Sequence, residues 1–306
     1  MDDIQILMAV YDGAPYLPDQ LRSLSSQSTA GWRLLASDDS GGADSRDIIE
    51  RFAVDVPQQV RVIRGPKSGF AANYLHLIRH AEPGPVAFAD QDDVWLPDKL
   101  ARAREALDEL PADRPGLYCA RLQPWNGTEG DRQRPMPKRT RPLGLENALI
   151  ENVAAGNTIV LNRAAAEAAR EIAPKLGAIF AHDWWLYQLV SGIGGTVVHD
   201  NGPPVALYRQ HGGNLIGAGR GPLAQIRRKR AVLRRAFAER LTLNAAALEA
   251  SRDRLTARNA ELFDGFEAAR RLPLGPRLAA FRRLGVYRQS PLGTAGFFGA
   301  AALGLV

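Results

Sequence analysis

Strand-like and helix-like stretches alternate through the first 120 residues, and this rhythm constrains the fold more than any single motif. "IQILMAV" reads as a strand, "YLPDQLRSLSSQ" as a helix with Pro18 near its start, and "WRLLAS" as a second strand. "SGGADSRDIIERFA" follows as a helix with Ser and Asp capping candidates, then "VRVIRG" as a strand, "FAANYLHLIRHA" as a helix and "PVAFAD" as a strand. Strand, helix and strand in repetition predict an α/β fold, a Rossmann-like and mostly parallel sheet with helices on both faces. Ligands of such sheets bind beyond the carboxyl ends of the strands.

Each of these strands ends in polar or glycine-bearing residues: "YDG" at 11–13, "SDDSGG" at 37–42, "GPKSGF" at 65–70 and "DQDD" at 90–93. Four loops therefore converge on one rim. "KLARAREALDEL" then reads as a helix and "GLYCARL" as a strand, and the Pro- and Arg-rich excursion over 123–142 as a mobile loop. "GNTIVLN" resumes strand character, "AHDWWLYQLVSGIGG" reads as a short helix begun by His182 and Asp183, and "TVVHD" and "PVALYRQHGGN" as two short strands and a loop. From about Pro222 the pattern is helical and basic.

Charge is distributed unevenly: residues 220–288 carry 17 Lys and Arg against 6 Asp and Glu, while residues 1–219 carry 22 against 27. A basic segment points to a polyanion or an anionic membrane. Aromatic residues are sparse among these arginines, which argues against nucleic acid. The stretch "SPLGTAGFFGAAALGLV" after them is uncharged, yet shorter than the roughly 20 residues that a spanning helix needs. A surface-lying anchor on a membrane is expected, the alternative being a solvated hairpin whose tail packs on the body. Cys119 is the single cysteine, so no internal disulfide or multi-cysteine zinc site forms, and the acidic N-terminus lacks the features of a secretory signal. The expected location is cytoplasmic, with peripheral contact at the inner face of the membrane.

"FADQDDVWLPDKL" places Asp90, Asp92 and Asp93 within four positions, directly after an apolar strand. Mutual repulsion disfavours this unless something positive sits among the carboxylates. Mg²⁺ or Mn²⁺ suits such a site, because one or two protein carboxylates leave the other positions to water and phosphate oxygens. The structural alternative is that Asp90 caps a turn while Asp93 and Asp98 cap the helix opening at Pro97. Asp38 and Asp39 end the second strand, where acceptors can take hydrogen bonds from a base or a ribose hydroxyl, and Tyr11 can stack on a base.

"AVYDGAPYLPDQLRSLSSQS", "LLASDDSGGADS", "GPKSGFAANY", "FADQDDVWLPDKL", "AHDWWLYQLV" and "YRQHGGN" together resemble the inverting glycosyltransferases of family 2, nearest their bacterial rhamnosyltransferase-like branch. The resemblance spans roughly residues 4–215 and implies the GT-A fold, with a nucleotide-sugar-binding half over 1–110, an acceptor half over 111–219, and a C-terminal basic helical region over 220–306. It implies that Tyr11, Asp38 and Asp39 hold the donor's base and ribose; Ala9 and Gln91 are further donor candidates, as are Lys67 and Asn73 of the third rim loop, whose plainer alternatives are a solvated lysine and a helix cap, and Arg209 is placed to offset the leaving diphosphate. Asp90 and Asp92, with His211, would hold Mg²⁺ or Mn²⁺, Asp92 being the favoured direct ligand. Asp93 departs from the family's plain acidic motif, which leaves the choice among the three acids open. Asp183 stands where the family keeps its catalytic base.

The residues support that last role on their own terms. Trp184 and Trp185 flank Asp183 with low-polarity surroundings that raise a carboxyl pKa, and the same indoles could platform an acceptor sugar. A helix N-cap beside two core tryptophans is the plainer alternative. The implied partners are a dTDP- or UDP-sugar and a glycan or lipid-linked acceptor. Competing readings are a nucleotidyltransferase, which would need a glycine-rich loop with Arg and Lys after the first strand, and a non-catalytic scaffold of envelope assembly.

Overall fold

A computed structural model of the chain describes residues 2–128, 130–210 and 223–306. β1 (Ile4–Val10), α1 (Leu17–Ser25), β2 (Trp32–Asp38), α2 (Asp44–Asp55), β3 (Val60–Arg64), α3 (Phe70–His80) and β4 (Val86–Asp90) follow in the expected alternation. A two-residue β5 (Val94–Trp95), α4 (Lys99–Asp108) and β6 (Gly116–Ala120) continue it. The second half adds β7 (Leu122–Trp125), α5 (Leu145–Ala148), β8 (Val160–Leu161), α6 (Arg163–Ile172), α7 (His182–Gly192), β9 (Thr196–Asp200) and β10 (Ala206–Arg209). Four helices close the chain: α8 (Leu223–Glu249), α9 (Ala257–Arg271), α10 (Leu274–Leu284) and α11 (Pro291–Ala302).

The main sheet has the order β3-β2-β1-β4-β8-β6-β9. β1 pairs parallel with both β2 and β4, and only β8 runs antiparallel to its neighbours. β2 and β3 lie on one side of β1 and β4 on the other, so the winding reverses between β1 and β4. In an open α/β sheet that reversal leaves a crevice at the strands' carboxyl ends. The register sets Ala9 opposite Asp90 and Val10 opposite Asp38, which puts the acidic residues at the mouth of this crevice.

Strands covered on both faces need apolar residues on both, and β1 is buried almost throughout. Ile4, Ile6, Met8 and Val10 join the core under α1, while Leu7 joins the core under α3 and α7. On β4 the period of two sends Ala87 and Ala89 to the first core and Phe88 to the second, so Asp90 follows Phe88 toward α3 and α7.

Three expectations are corrected. Residues 123–142 are not all loop: Gln123 to Trp125 belong to β7, which pairs parallel with β10 in a small sheet of order β5-β10-β7. "GNTIVLN" opens as a 3₁₀ turn over Gly156–Thr158 and pairs only at Val160–Leu161. Side-chain caps expected for α2 are not made; Ser40 Oγ instead accepts from the Asp12 amide at 2.8 Å and Ser45 Oγ from the Gly13 amide at 3.0 Å. Those serines fasten the loop after β1, which leaves α2 to begin on Ala43.

The uncharged tail folds as α11, whose Phe297 and Ala301 are buried and belong to the same core as Trp185 and Leu189 of α7. Phe297 meets Phe281 of α10 edge-on at 5.1 Å, and Asn259 Nδ2 of α9 donates to the carbonyls of Ser191 and Gly192, satisfying the end of α7. No helix among the described residues is long and apolar enough to cross a membrane.

Candidate active site

The Tyr74 hydroxyl of α3 lies 2.6 Å from Asp90 Oδ1 and 2.8 Å from the Ala89 carbonyl, so its single proton serves one of them. His182, the first residue of α7, stacks on the Tyr74 ring at 3.7 Å between centroids and also touches Phe88. Burial pushes the His182 imidazole down to about 3, so it is neutral, and neither ring nitrogen has a hydrogen-bond partner. Asp90 is pushed up to about 7, first by burial and then by the charge of Asp92; Asp183 adds to the push while Lys99 opposes it.

Asp93 does not join the rim. Its side chain is 0% exposed, with Oδ1 accepting from the Arg209 amide at 3.0 Å and Oδ2 from the Asn157 amide group. Lys99 is also 0% exposed, its Nζ 3.2 Å from the centre of the Trp95 ring and without a hydrogen-bond partner. Burial drives Asp93 up and Lys99 down, while Asp93 and Asp90 act on Lys99 in the opposite sense. Lys99, at the start of α4, thus opposes the push on Asp90 only through space, with no hydrogen bond to any of the acids. Lys99 and Asp93 form a layer under the rim, and Asp90 and Asp92 are the acids left at the crevice.

Asp183, on the first turn of α7, is the second carboxylate, after Asp92, whose charge acts on Asp90. Burial lifts its own carboxyl to about 6, against hydrogen bonds from Asn152 and from the Trp184 and Gly156 amides that favour the ion. Gly156 makes this approach possible: a Cβ there would lie 2.9 Å from His182 Nε2 and 3.4 Å from Asp183 Cβ. The result is a carboxylate that titrates near neutrality, firmly oriented, facing the acids of β4.

The side of the rim formed by the loops after β1, β2 and β3 is organised by short-range bonds. Gln91 clamps the backbone of Tyr11, accepting from its amide and donating to its carbonyl at 2.9 Å each, which leaves the Tyr11 ring 65% exposed. Asp38 Oδ1 accepts from the Ser40 amide and Asp39 Oδ1 from the Lys67 amide at 2.8 Å. Gly65 is required beside it, since a Cβ there would fall 2.0 Å from Asp39 Oδ1. Lys67 is exposed on a left-handed backbone (φ 55), and Ala9 is partly exposed at the strand end.

Three assignments change, Asn73, Trp184 and Trp185. Asn73 is buried, its amide donating to the Ser37 carbonyl at 3.0 Å, so it ties α3 to a strand end instead of reaching a ligand. Trp184 and Trp185 are 5% and 0% exposed, and Trp184 Nε1 donates to Ala148; packed in the core, they offer no face to a sugar. The Arg209 guanidinium reaches the crevice but binds Asp19 at 2.8 Å and the Asp92 carbonyl at 2.8 Å, and lies 4.5 Å over the Trp125 ring. It is a partly neutralised cation. His211 lies outside the described residues.

Among the described residues no three His, Cys, Asp or Glu side chains gather into a ready-made metal cage. Asp90 and Asp92 nonetheless fit a hard cation: they are two repelling carboxylates at one mouth, the number that leaves room for water and phosphate around Mg²⁺ or Mn²⁺. Tyr74, His182 and Lys99 were missed as site residues. The signal for Tyr74 and Lys99 lay in α3 and α4, where Tyr74 and Asn73 interrupt the apolar stripe of Phe70, Leu77 and Ile78 at the rim end, and where a lysine follows the acids; His182 stood beside Asp183 at the start of α7.

The family model described as Glycosyl transferase family 2 matches residues 5–166. The dTDP-rhamnosyl transferase RfbG of Shigella flexneri is 24% identical over 250 residues, covering 79% of this chain and 84% of RfbG. The UDP-Glc:alpha-D-GlcNAc-diphosphoundecaprenol beta-1,3-glucosyltransferase WfgD of Escherichia coli is 26% identical over 103 residues, 33% of this chain and 40% of WfgD. Among solved structures, S. aureus TarS 1-349 in complex with UDP-GlcNAc superposes with a TM-score of 0.55 at 14% identity, covering 99% of this chain and 89% of that one. That likeness extends the fold across both halves and the C-terminal helices.

Proposed function

Since the chain belongs to glycosyl transferase family 2, we propose that it is a metal-dependent inverting enzyme of polysaccharide assembly, moving a sugar from a nucleoside diphosphate to an acceptor hydroxyl. The observation that carries this reading is the placement of Asp183, a carboxyl lifted to about 6 and held by Asn152 opposite Asp90. A base of that kind accepts the hydroxyl proton as the oxygen attacks the anomeric carbon, and one displacement inverts the configuration. Tyr11, Asp38 and Asp39 receive base and ribose, Gln91 and Ala9 shape the wall between them, and Lys67 reaches the donor from the third loop. Asp90 and Asp92 would hold Mg²⁺ or Mn²⁺, which would supply charge to offset the departing diphosphate. Tyr74 fixes Asp90, and Arg209 adds positive field at the same mouth.

The donor is a dTDP-sugar, with rhamnose the favoured sugar, because RfbG, which aligns over most of the chain, is a dTDP-rhamnosyl transferase by name. The acceptor is a lipid-linked glycan, because WfgD acts by name on a diphosphoundecaprenol-linked sugar and the chain carries basic C-terminal helices. Such an acceptor holds the enzyme at the inner face of the membrane. Asp183→Asn is expected to abolish transfer while a dTDP thermal-shift response with Mn²⁺ persists; loss of both together would assign Asp183 to structure. The same thermal-shift series with UDP and GDP tests the base, and equal responses to all three would remove the dTDP assignment.

A further inference from the structure

The last two helices form a hairpin with an unusual surface. From Ala268 to Val306 the chain carries six arginines, no lysine and no acidic residue, and from Gln289 onward no charge at all. One side of α11, with Phe297 and Ala301, enters the core. The opposite side presents Leu292, Ala295, Gly296, Gly299, Ala302 and Leu303, all exposed and spaced three or four apart, with Leu292 at 84% and Leu303 at 62%. That spacing makes one helical stripe.

The stripe is bracketed by guanidinium groups. At its far end Arg277 Nη1 donates to the Ala301 carbonyl at 2.9 Å, and one turn before Arg277 stands Leu274, also exposed. At its near end the Arg141 guanidinium reaches Thr294 Oγ1 at 3.5 Å, and Arg282 and Arg283 project from the last turn of α10. Arg282 and Arg283 are exposed, and no carboxylate pairs with either among the described residues.

We propose that this face of α10 and α11 is the membrane-docking surface, with Leu274, Leu292 and Leu303 entering the headgroup region of an anionic bilayer while Arg282 and Arg283 meet lipid phosphates. A second protein copy fits the charge less well, because a two-fold contact would bring the same unpaired arginines together. An uncharged helix face edged by arginines and devoid of acids is complementary to a surface that is apolar inside and negative at its rim. The inference deepens the peripheral placement proposed above, naming the residues, and stands or falls without the catalytic reading.

Co-sedimentation of the full chain with phosphatidylcholine vesicles, with and without phosphatidylglycerol, tests it. Wild type is expected to bind the anionic vesicles and release at high salt. Leu292→Asp with Leu303→Asp, and separately Arg282→Glu with Arg283→Glu, are each expected to weaken binding about tenfold or more while thermal unfolding and the nucleotide response stay unchanged. Binding that survives both pairs, or that is absent in wild type, overturns the proposal. So does a dimer, measured by light scattering, that the leucine pair dissolves while vesicle binding persists, since the face then belongs to a second copy.

Discussion

The carboxylates at and just after the end of β4 show how residues of one type take different tasks within four positions. Asp90 sits under the Tyr74 hydroxyl, Asp93 turns inward to Asn157 and the Arg209 amide, and Lys99 lies buried against Trp95 to offset them. Lys99 Nζ is buried with only the Trp95 face beside it, so Lys99→Met, which keeps the stem and removes the buried amine, is expected to hold or raise stability, by about 1 kcal/mol, in denaturant titration. Tyr74→Phe frees Asp90 and is expected to weaken Mn²⁺ binding roughly tenfold with nucleotide affinity in metal-free buffer unchanged. As the proposed base, Asp183 must be ionised to accept a proton, and burial lifts it to about 6, so transfer is expected to fall as pH drops through that value and to level off above it, read from a pH–rate profile. Asn152 favours the ion, hence Asn152→Ala is expected to move this limb of the pH profile upward. The acids and their rim were readable in the sequence because strand-end position follows from alternation. Tyr74, His182 and the inward turn of Asp93 were not, since each depends on a partner that arrives from a different element, up to 116 residues away in the case of the Arg209 amide.

Elements position these residues through loops that brace one another. Gln91, at the end of β4, locks the loop after β1 by a two-bond amide clamp on Tyr11, and Ser40 and Ser45 from the β2–α2 connection hold the same loop at Asp12 and Gly13. Gln91→Ala is expected to raise the donor KM severalfold with little change in kcat, because the ring of Tyr11 loses its fixed seat while the acids of β4 keep theirs. A matching fall in kcat would place Gln91 in the chemistry instead. Serine and aspartate around residues 38–45 looked like helix caps, and such residues are good caps; the tertiary approach of another loop's amides took their oxygens first. In the same way residues 123–125 lacked strand periodicity, and only the neighbouring β10 made them one.

Across the whole molecule, the helices after residue 222 are part of the core that supports α7. Leu241, Leu248, Phe263, Phe266, Phe281 and Phe297 share one apolar cluster with Trp185 and Leu189, behind the helix that carries Asp183 on its first turn. Deleting residues 220–306 therefore exposes that face, and the shortened chain is expected to unfold at lower temperature or aggregate, read by calorimetry and light scattering. Point changes on the α10–α11 surface are the cleaner probe of membrane contact.

By itself the sequence determined the α/β winding, the carboxyl-end rim and the residue types gathered there, because periodicity and strand-end position are local properties. It also determined the basic, acid-free tail. Tertiary structure alone decided which acid faces the crevice and which is buried with Lys99, sent the two tryptophans beside Asp183 into the core, and turned one side of the tail helix inward. Those outcomes depend on burial, and burial is set by what packs against a residue from far along the chain.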